Sequence, residues 1–164
     1  MFGNNFFMRQ SLKFSLFCLI VVSIVIVPIS SPIFKTKYNE EITYFFYAKT
    51  VNKQVANAKY ISSGNSYIIC CDFNDATFVK KHIDDVIGES VRIKNCSLNS
   101  INKILFDYKN YIIDKQQLDD YTIFLCYDDK LSNFIFIDGQ KVNIQIAVKN
   151  AEINIGYPLI LNGF

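Results

Sequence analysis

The sequence predicts an α+β domain, a mostly antiparallel sheet with two helices packed on one face, preceded by one N-terminal transmembrane helix. Three observations lead there. Residues 142–148 (VNIQIAV) alternate apolar and polar side chains with the period of a strand, stretches near 76–87 and 97–110 place apolar residues at helical spacing, and Phe14 to Phe34 holds no charge over 21 residues.

The uncharged run sets the address. As a helix rising ~1.5 Å per residue it is ~31 Å long, about one hydrocarbon core. Arg9 and Lys13 stand ahead of it and no Asp or Glu occurs before Glu40, so the cationic flank belongs in the cytoplasm and the rest of the chain outside. The expected organisation is a basic cytoplasmic stub (1–13), a transmembrane signal-anchor (14–34), a polar tether (35–41) and an extracytoplasmic domain (42–164). The uninterrupted apolar stretch before Pro28 is 14 residues, a length that also suits a cleaved signal peptide. Cleavage after Ser30 or Ser31 would place Pro28 or Ile29 where a small residue is needed, which favours an uncleaved anchor; a cut there would make the domain secreted.

The 129 residues after Lys35 suffice for one domain with its own core. Ile42 to Val51, aromatic and β-branched, reads as a strand. Ala58–Ser62 and Ser66–Phe73 flank the turn tripeptide Ser63-Gly64-Asn65 and read as a hairpin. Within it, Tyr67 to Cys71 alternates so little that both faces are expected to be covered.

Asp72, Asn74 and Asp75 offer N-cap oxygens to a helix over Ala76–Ile87, with Phe78, Val79, Ile83, Val86 and Ile87 on one stripe and Gly88 as its stop. Val91–Asn95 is a short alternating strand. A second amphipathic helix runs from Ser97 to about Asn110, with Leu98, Ile101, Ile104, Leu105 and Tyr108 inward. Tyr111–Asp120 reads as a loop with a helical turn, and Tyr121–Tyr127 as a strand. A meander closes the domain: Phe134–Ile137, the turn Asp138-Gly139, Val142–Val148, a turn at Lys149-Asn150, then Ala151–Gly156. In Val142–Val148 the pattern sends Val142, Ile144, Ile146 and Val148 to the core and Asn143 and Gln145 to water.

Charge narrows the partners. Three of the seventeen basic residues, Arg9, Lys13 and Lys35, lie in or beside the apolar run, which leaves fourteen cations against fifteen anions outside, near −1. Their signs alternate along the chain, so no cationic stripe for phosphate backbones emerges and nucleic acid is not expected as a partner. The expected partners are the membrane, through the N-terminal helix, and an envelope protein or cell-wall component.

Five Cys are present. Cys18 lies inside the apolar run. Cys70, Cys71, Cys96 and Cys126 would meet an oxidising exterior, where they either pack as small hydrophobes or supply one disulfide, joining Cys70 or Cys71 to Cys96 or Cys126. Adjacent strand residues point to opposite faces, so Cys70 and Cys71 cannot share a partner.

The residues point to no catalytic set. His82, the only His, invites a role as general base in a Ser-His-Asp or Cys-His arrangement whose partners could come from anywhere in the chain, but an exposed or half-buried helix position is the favoured reading. Asp84-Asp85, Asp119-Asp120 and Asp128-Asp129 lack the spacing of a calcium loop and read as solvated charge; Asp72-Phe73-Asn74-Asp75 is explained by capping. There is no C-x-x-C pair and no Gly-rich phosphate loop, so no cofactor, metal ligand or catalytic residue is assigned. The apolar segment Tyr157-Pro158-Leu159-Ile160-Leu161 is expected to pack on the core, with an edge strand or a docking segment as alternatives.

The stretch Ile137-Asp138-Gly139-Gln140-Lys141-Val142-Asn143-Ile144-Gln145-Ile146-Ala147-Val148, followed by Ile153-Asn154-Ile155-Gly156-Tyr157-Pro158-Leu159-Ile160, resembles the C-terminal part of the YwmB family of Firmicutes. That family carries a G-K-K-x-N-x-Q-I-A strand and an I-G-x-P-I-I ending. Ile42 to Lys49 resembles its first exported strand. The resemblance implies a TATA-box-binding-protein-like fold in an exported protein and supplies no catalytic residues; fold likeness is no warrant for DNA binding. The chain departs from the pattern at Tyr157 and at the ending Asn162-Gly163-Phe164. The expected function is an extracytoplasmic binding or interaction domain serving the envelope or sporulation. The alternative is a peptidoglycan hydrolase using a carboxylate pair.

Overall fold

A computed structural model describes residues 41–163; the expected cytoplasmic stub, the expected transmembrane segment and all of the expected tether before Glu41 lie outside the described residues. Among the described residues no helix is long and apolar enough to cross a membrane. The chain runs β1 (Glu41–Ala48), β2 (Lys59–Ser63), β3 (Ser66–Asp72), a 3-10 turn at Phe73–Asp75, α1 (Ala76–Lys81), β4 (Val86–Lys94), α2 (Leu98–Tyr108), β5 (Ile112–Leu118), β6 (Tyr121–Cys126), β7 (Ile135–Ile137), β8 (Gln140–Val142), β9 (Ile144–Lys149) and β10 (Glu152–Tyr157). Eight strands form one antiparallel sheet in the order β2-β3-β1-β4-β10-β9-β6-β5, and β7 and β8 pair as a separate hairpin. The fold is α+β, as expected.

Alternation sorts the side chains onto two faces. On one, Tyr44, Phe46, Ile69, Val91, Ile93, Ile144, Ile146, Ile153 and Ile155 form the main core, which Ala76 and Val79 of α1 and Ile101 and Ile104 of α2 cover. Each such buried aliphatic or aromatic side chain contributes roughly 1.5–3 kcal/mol of transfer free energy. The far face carries a second, smaller core of Ile123, Leu125, Val142, Ala147 and Ile160, covered by the β7–β8 hairpin and by the segment after Tyr157.

That segment is laced to the far face by hydrogen bonds. The Ile160 N–H donates to Gln145 Oε1 at 3.0 Å and the Leu161 N–H to the Tyr47 hydroxyl at 3.0 Å. Asn162 Oδ1 stands 3.0 Å from Tyr47 Oη and 3.2 Å from Ser90 Oγ, while Arg92 Nη2 donates to the Gly163 carbonyl at 3.0 Å. Burial raises the Tyr47 pKa, and the bonds to Ser90, Leu161 and Asn162 pull it back. Two glycines make the close passage possible. A Cβ on Gly156 would lie 2.3 Å from the Leu159 carbonyl carbon, and one on Gly88 would lie 2.8 Å from the Tyr157 oxygen.

Several expectations need correction. The first helix ends at Lys81, not Ile87, because Val86 and its successors pair with β1 from Ala48 onward and Gly88 is a strand residue. Asp85 makes the turn between them at φ 52°, holding Lys49 N–H on its carbonyl and the Thr50 hydroxyl on its carboxylate. No side-chain cap bond forms at Asp72 or Asp75; Asp75 instead accepts from Asn57. The strand expected at Val91–Asn95 begins five residues earlier, at Val86.

The second helix starts as expected, with Ser97 Oγ accepting from the Ser100 N–H at 3.0 Å. Leu98, however, is 76% exposed, outside the buried stripe. The presumed loop at Tyr111–Asp120 is instead the edge strand β5; its sequence Ile-Ile-Asp-Lys-Gln-Gln-Leu hides the pattern because only one neighbour covers it and the register shifts between Ile112 and Asp114. On β3, Ile69 and Cys71 are buried in the core while Ile68 and Cys70 on the opposite face stay partly open, so its two faces are not equally covered; Tyr67, on the core side at the strand's start, is exposed.

The expected strand Val142–Val148 is broken at Asn143, which is fully buried rather than wetted, and Gln145 is half-buried. Val142 faces the second core, not the main one. The Tyr157–Leu161 segment packs on the core through Ile160.

Candidate functional site

At one end of the far face the sheet opens into a groove of about 480 Å³. Its walls come from strands that lie side by side: Arg92 and Lys94 from β4, Glu152 from β10, Lys149 from β9 and Tyr121 from β6, with Asn95, Asn150 and Ala151 from the adjoining turns. Local sequence explains the shape. Asn95 and Asn150 both take left-handed backbone, at φ 58° and 51°, a conformation that Asn tolerates. The Cys96 N–H donates to the Ala151 carbonyl at 2.8 Å, which ties the two turns together.

The groove's charges are partly committed. Arg92 Nε lies 3.2 Å from Glu152 Oε1 and donates to Asn154 Oδ1 at 3.1 Å, and Asn154 Nδ2 also donates to Glu152 Oε1 at 3.0 Å. With the Gly163 carbonyl on its other arm and the Phe45 ring 5.3 Å beneath, the guanidinium is spent within the fold, and it neutralises Glu152. Lys149 sits 4.6 Å over the Tyr121 ring and 3.2 Å from Asp120, whose side chain is 75% exposed; that carboxylate holds the ammonium pKa above its ordinary value. Lys94 has no ion pair among the described residues, with Glu41 opposite it in the β1–β4 register.

The residues singled out from sequence do not converge. His82 ends α1 in an exposed position, its Nδ1 2.8 Å from the Phe78 carbonyl and its ring 4.4 Å from that of Phe78. It lines a pocket with room for about one water, beside Thr50, Asn52 and Asp84. Asp84 and Asp85 serve the turn after α1, and Asp128 begins the loop before β7, where its Oδ1 accepts from the Lys130 N–H. Asp120 alone of the acidic pairs reaches the groove, through Lys149. Among the described residues no three His, Cys, Asp or Glu gather into a metal-sized cluster.

Cys70, Cys71, Cys96 and Cys126 are all free thiols, and Cys70 and Cys71 do face opposite sides of β3. Burial pushes the Cys71 and Cys126 thiols up to about 12, so neither is a nucleophile at neutral pH. A buried ion pair, Lys80 Nζ to Glu89 Oε2 at 2.7 Å, joins α1 to β4 under the helix face.

Sequence reasoning missed the groove because its members are scattered from Arg92 to Glu152 and become neighbours only through strand order. The available signal was faint: two Asn residues, Asn95 and Asn150, each following a strand-ending Lys. No family model, curated protein or solved structure matches this chain.

Proposed function

We propose that this protein is a binding module displayed on the outer face of a bacterial membrane, held there by residues 14–34, and that the groove between Arg92 and Lys149 is its binding surface. The groove is the observation that carries the reading. It is an open, largely polar depression built on four neighbouring strands and their adjoining turns, with its one guanidinium already bonded, Lys94 exposed and Lys149 partly exposed, an arrangement suited to holding a ligand rather than transforming it. The tethered address rests on the charge asymmetry around Phe14–Phe34.

The resemblance to the YwmB family, in the meander and the first exported strand, supports an envelope or sporulation role in a Firmicute. The antiparallel sheet with both helices on one face is compatible with the layer architecture that this resemblance implies. The two half-sheets are wired differently, as β2-β3-β1-β4 with a strand inserted out of order and as two hairpins, β5–β6 and β9–β10, with the separate β7–β8 pair between them in the chain. The far face that a DNA binder would use is occupied by the β7–β8 hairpin and the Leu159–Gly163 segment.

Two measurements test the proposal. Protease added to intact cells should cut at Lys49 or Lys141; protection in intact cells with cleavage after lysis would place the domain inside and end it. Full-length protein in detergent, mixed with solubilised envelope fragments, should show resonance shifts at Asn95, Tyr121 and Asn150; shifts confined to other surfaces would move the binding site elsewhere.

A further inference from the structure

Building on that binding-module reading, we propose that the groove recognises a phosphate-type oxyanion, a phosphomonoester or phosphodiester, held between Lys94 and Lys149 with the Asn95 and Asn150 carboxamides beside it. The cation chemistry separates this from carboxylate recognition. A planar carboxylate is best met by a guanidinium fork, and the guanidinium in the groove is already bonded to Glu152, Asn154 and the Gly163 carbonyl. What remains are ammonium groups, point charges without a preferred plane, which suit a tetrahedral oxyanion.

Spacing agrees. Lys94 and Lys149 stand on β4 and β9, two strand intervals apart across β10, so their backbones are separated by about 9.5 Å and their stems can converge on one group from opposite sides. A tetrahedral anion offers enough oxygens for two ammonium groups and two amide donors at once. Glu152, the carboxylate that would repel such a ligand, is drawn back by Arg92 and Asn154.

Two acids oppose the ligand from the rim. Asp120 holds Lys149 from a solvent-exposed position and Glu41 lies across from Lys94 without pairing with it; both acids face water, so an incoming phosphate gives up one screened ion pair, at Lys149, at small cost. Tyr121 beneath Lys149 leaves an aromatic ledge for the group that carries the phosphate.

Full-length protein in neutral maltoside micelles is titrated with inorganic phosphate, with a glycerol-phosphate polymer and with acetate, and separately receives phosphatidylglycerol in the micelle. Amide shifts of Asn95, Tyr121 and Asn150 report binding, and each of Lys94→Gln and Lys149→Gln should weaken it about tenfold, as loss of one charge-assisted bond does. Thermal midpoints of the two variants check that the fold is kept; if one is unstable, the Asn150→Gly variant supplies the comparison, with weaker binding expected. Response to free phosphate and polymer alone assigns an envelope polymer as the source, and response to phosphatidylglycerol alone assigns a lipid headgroup; both uphold the proposal. Equal response to acetate, no response in any arm, or unchanged binding in the double lysine variant overturns it. Shifts at the groove with envelope fragments but none with the phosphate probes would leave the binding module standing and remove only the phosphate assignment.

Discussion

Asn143 replaces a missing stretch of sheet for Asp128: its Oδ1 accepts from the Asp128 N–H at 2.8 Å and its Nδ2 donates to the Asp128 carbonyl at 2.7 Å. A fully buried carboxamide thereby satisfies both backbone groups of a loop residue and, with the Asn143 N–H on the Cys126 carbonyl, fixes the chain where β6 leaves the sheet. Replacing it with Leu keeps the branched outline, adds bulk and orphans those groups. Asn143→Leu should cost about 3 kcal/mol, the penalty for leaving buried polar groups unpaired, read from urea unfolding at constant slope. A loss under 1 kcal/mol would show that the loop finds other partners.

Gly156 and Gly139 separate two uses of the same residue. At Gly139 the backbone is left-handed, φ 79°, with open space around a Cβ, so Gly139→Ala should cost about 1 kcal/mol from strain alone. Gly156 is crowded by the Leu159 and Ile160 backbone, and Gly156→Ala should both destabilise more and speed hydrogen exchange at the Leu161 amide, now bonded to Tyr47. Unchanged exchange at that amide would refute the steric account.

The Lys80–Glu89 pair should behave as buried charge. The Glu89 side chain is 2% exposed, so Lys80→Met removes the cation that offsets its buried charge and should cost about 3 kcal/mol, while adding Glu89→Leu should restore most of that. If the double variant is no more stable than the single one, the pair is not the cause.

Alkaline pH should weaken the fold in a defined window. Burial lifts Cys71 and Cys126 from 9.0 to about 12 and Tyr108 from 10.0 to about 12, with Tyr44 also raised. Above pH 9 the unfolded chain releases these protons while the native one keeps them, so the unfolded state binds fewer and stability falls between about pH 9 and 12; below pH 9 these groups contribute no slope. Urea midpoints from pH 8 to 11 read this, and Tyr108→Phe should flatten the decline above pH 10. A slope identical to that of the parent would exclude Tyr108.

Among the four thiols of the described residues, Cys70 should alkylate first. It is half-buried on the far face, while Cys71, Cys96 and Cys126 are buried. Iodoacetamide at pH 8 should mark Cys70 in native protein and the other three only in urea, as mass spectrometry of peptides would show.

Periodicity alone announced two elements: the apolar-polar alternation of Ile144 to Val148, and the helical spacing of Ile101 and Ile104 in the Ser97-capped helix. What escaped the sequence was decided by distant partners. Val86 and Ile87 fit a helical stripe as well as a strand, and pairing with Ala48 chose the strand. Asn143 looked like a solvent residue because a polar letter in an alternating run usually is one; only the arriving Asp128 loop makes burial favourable. The groove shares that cause, since Lys94 and Lys149 lie 55 positions apart in sequence and two strands apart in space. Resemblance and charge pattern suggested an address and a layer architecture, and neither bears on which end of the sheet is concave.

β10 is wedged between β4 and β9, so the middle of the sheet is completed by the strand that emerges from the ribosome after all the others. Until it arrives, two half-sheets each present an unpaired inner border rich in Ile and Val, the kind of border that recruits strangers. A chain stalled before residue 150 should therefore clump rather than wait, and any cell making this protein gains by keeping the growing end shielded until synthesis has passed Tyr157.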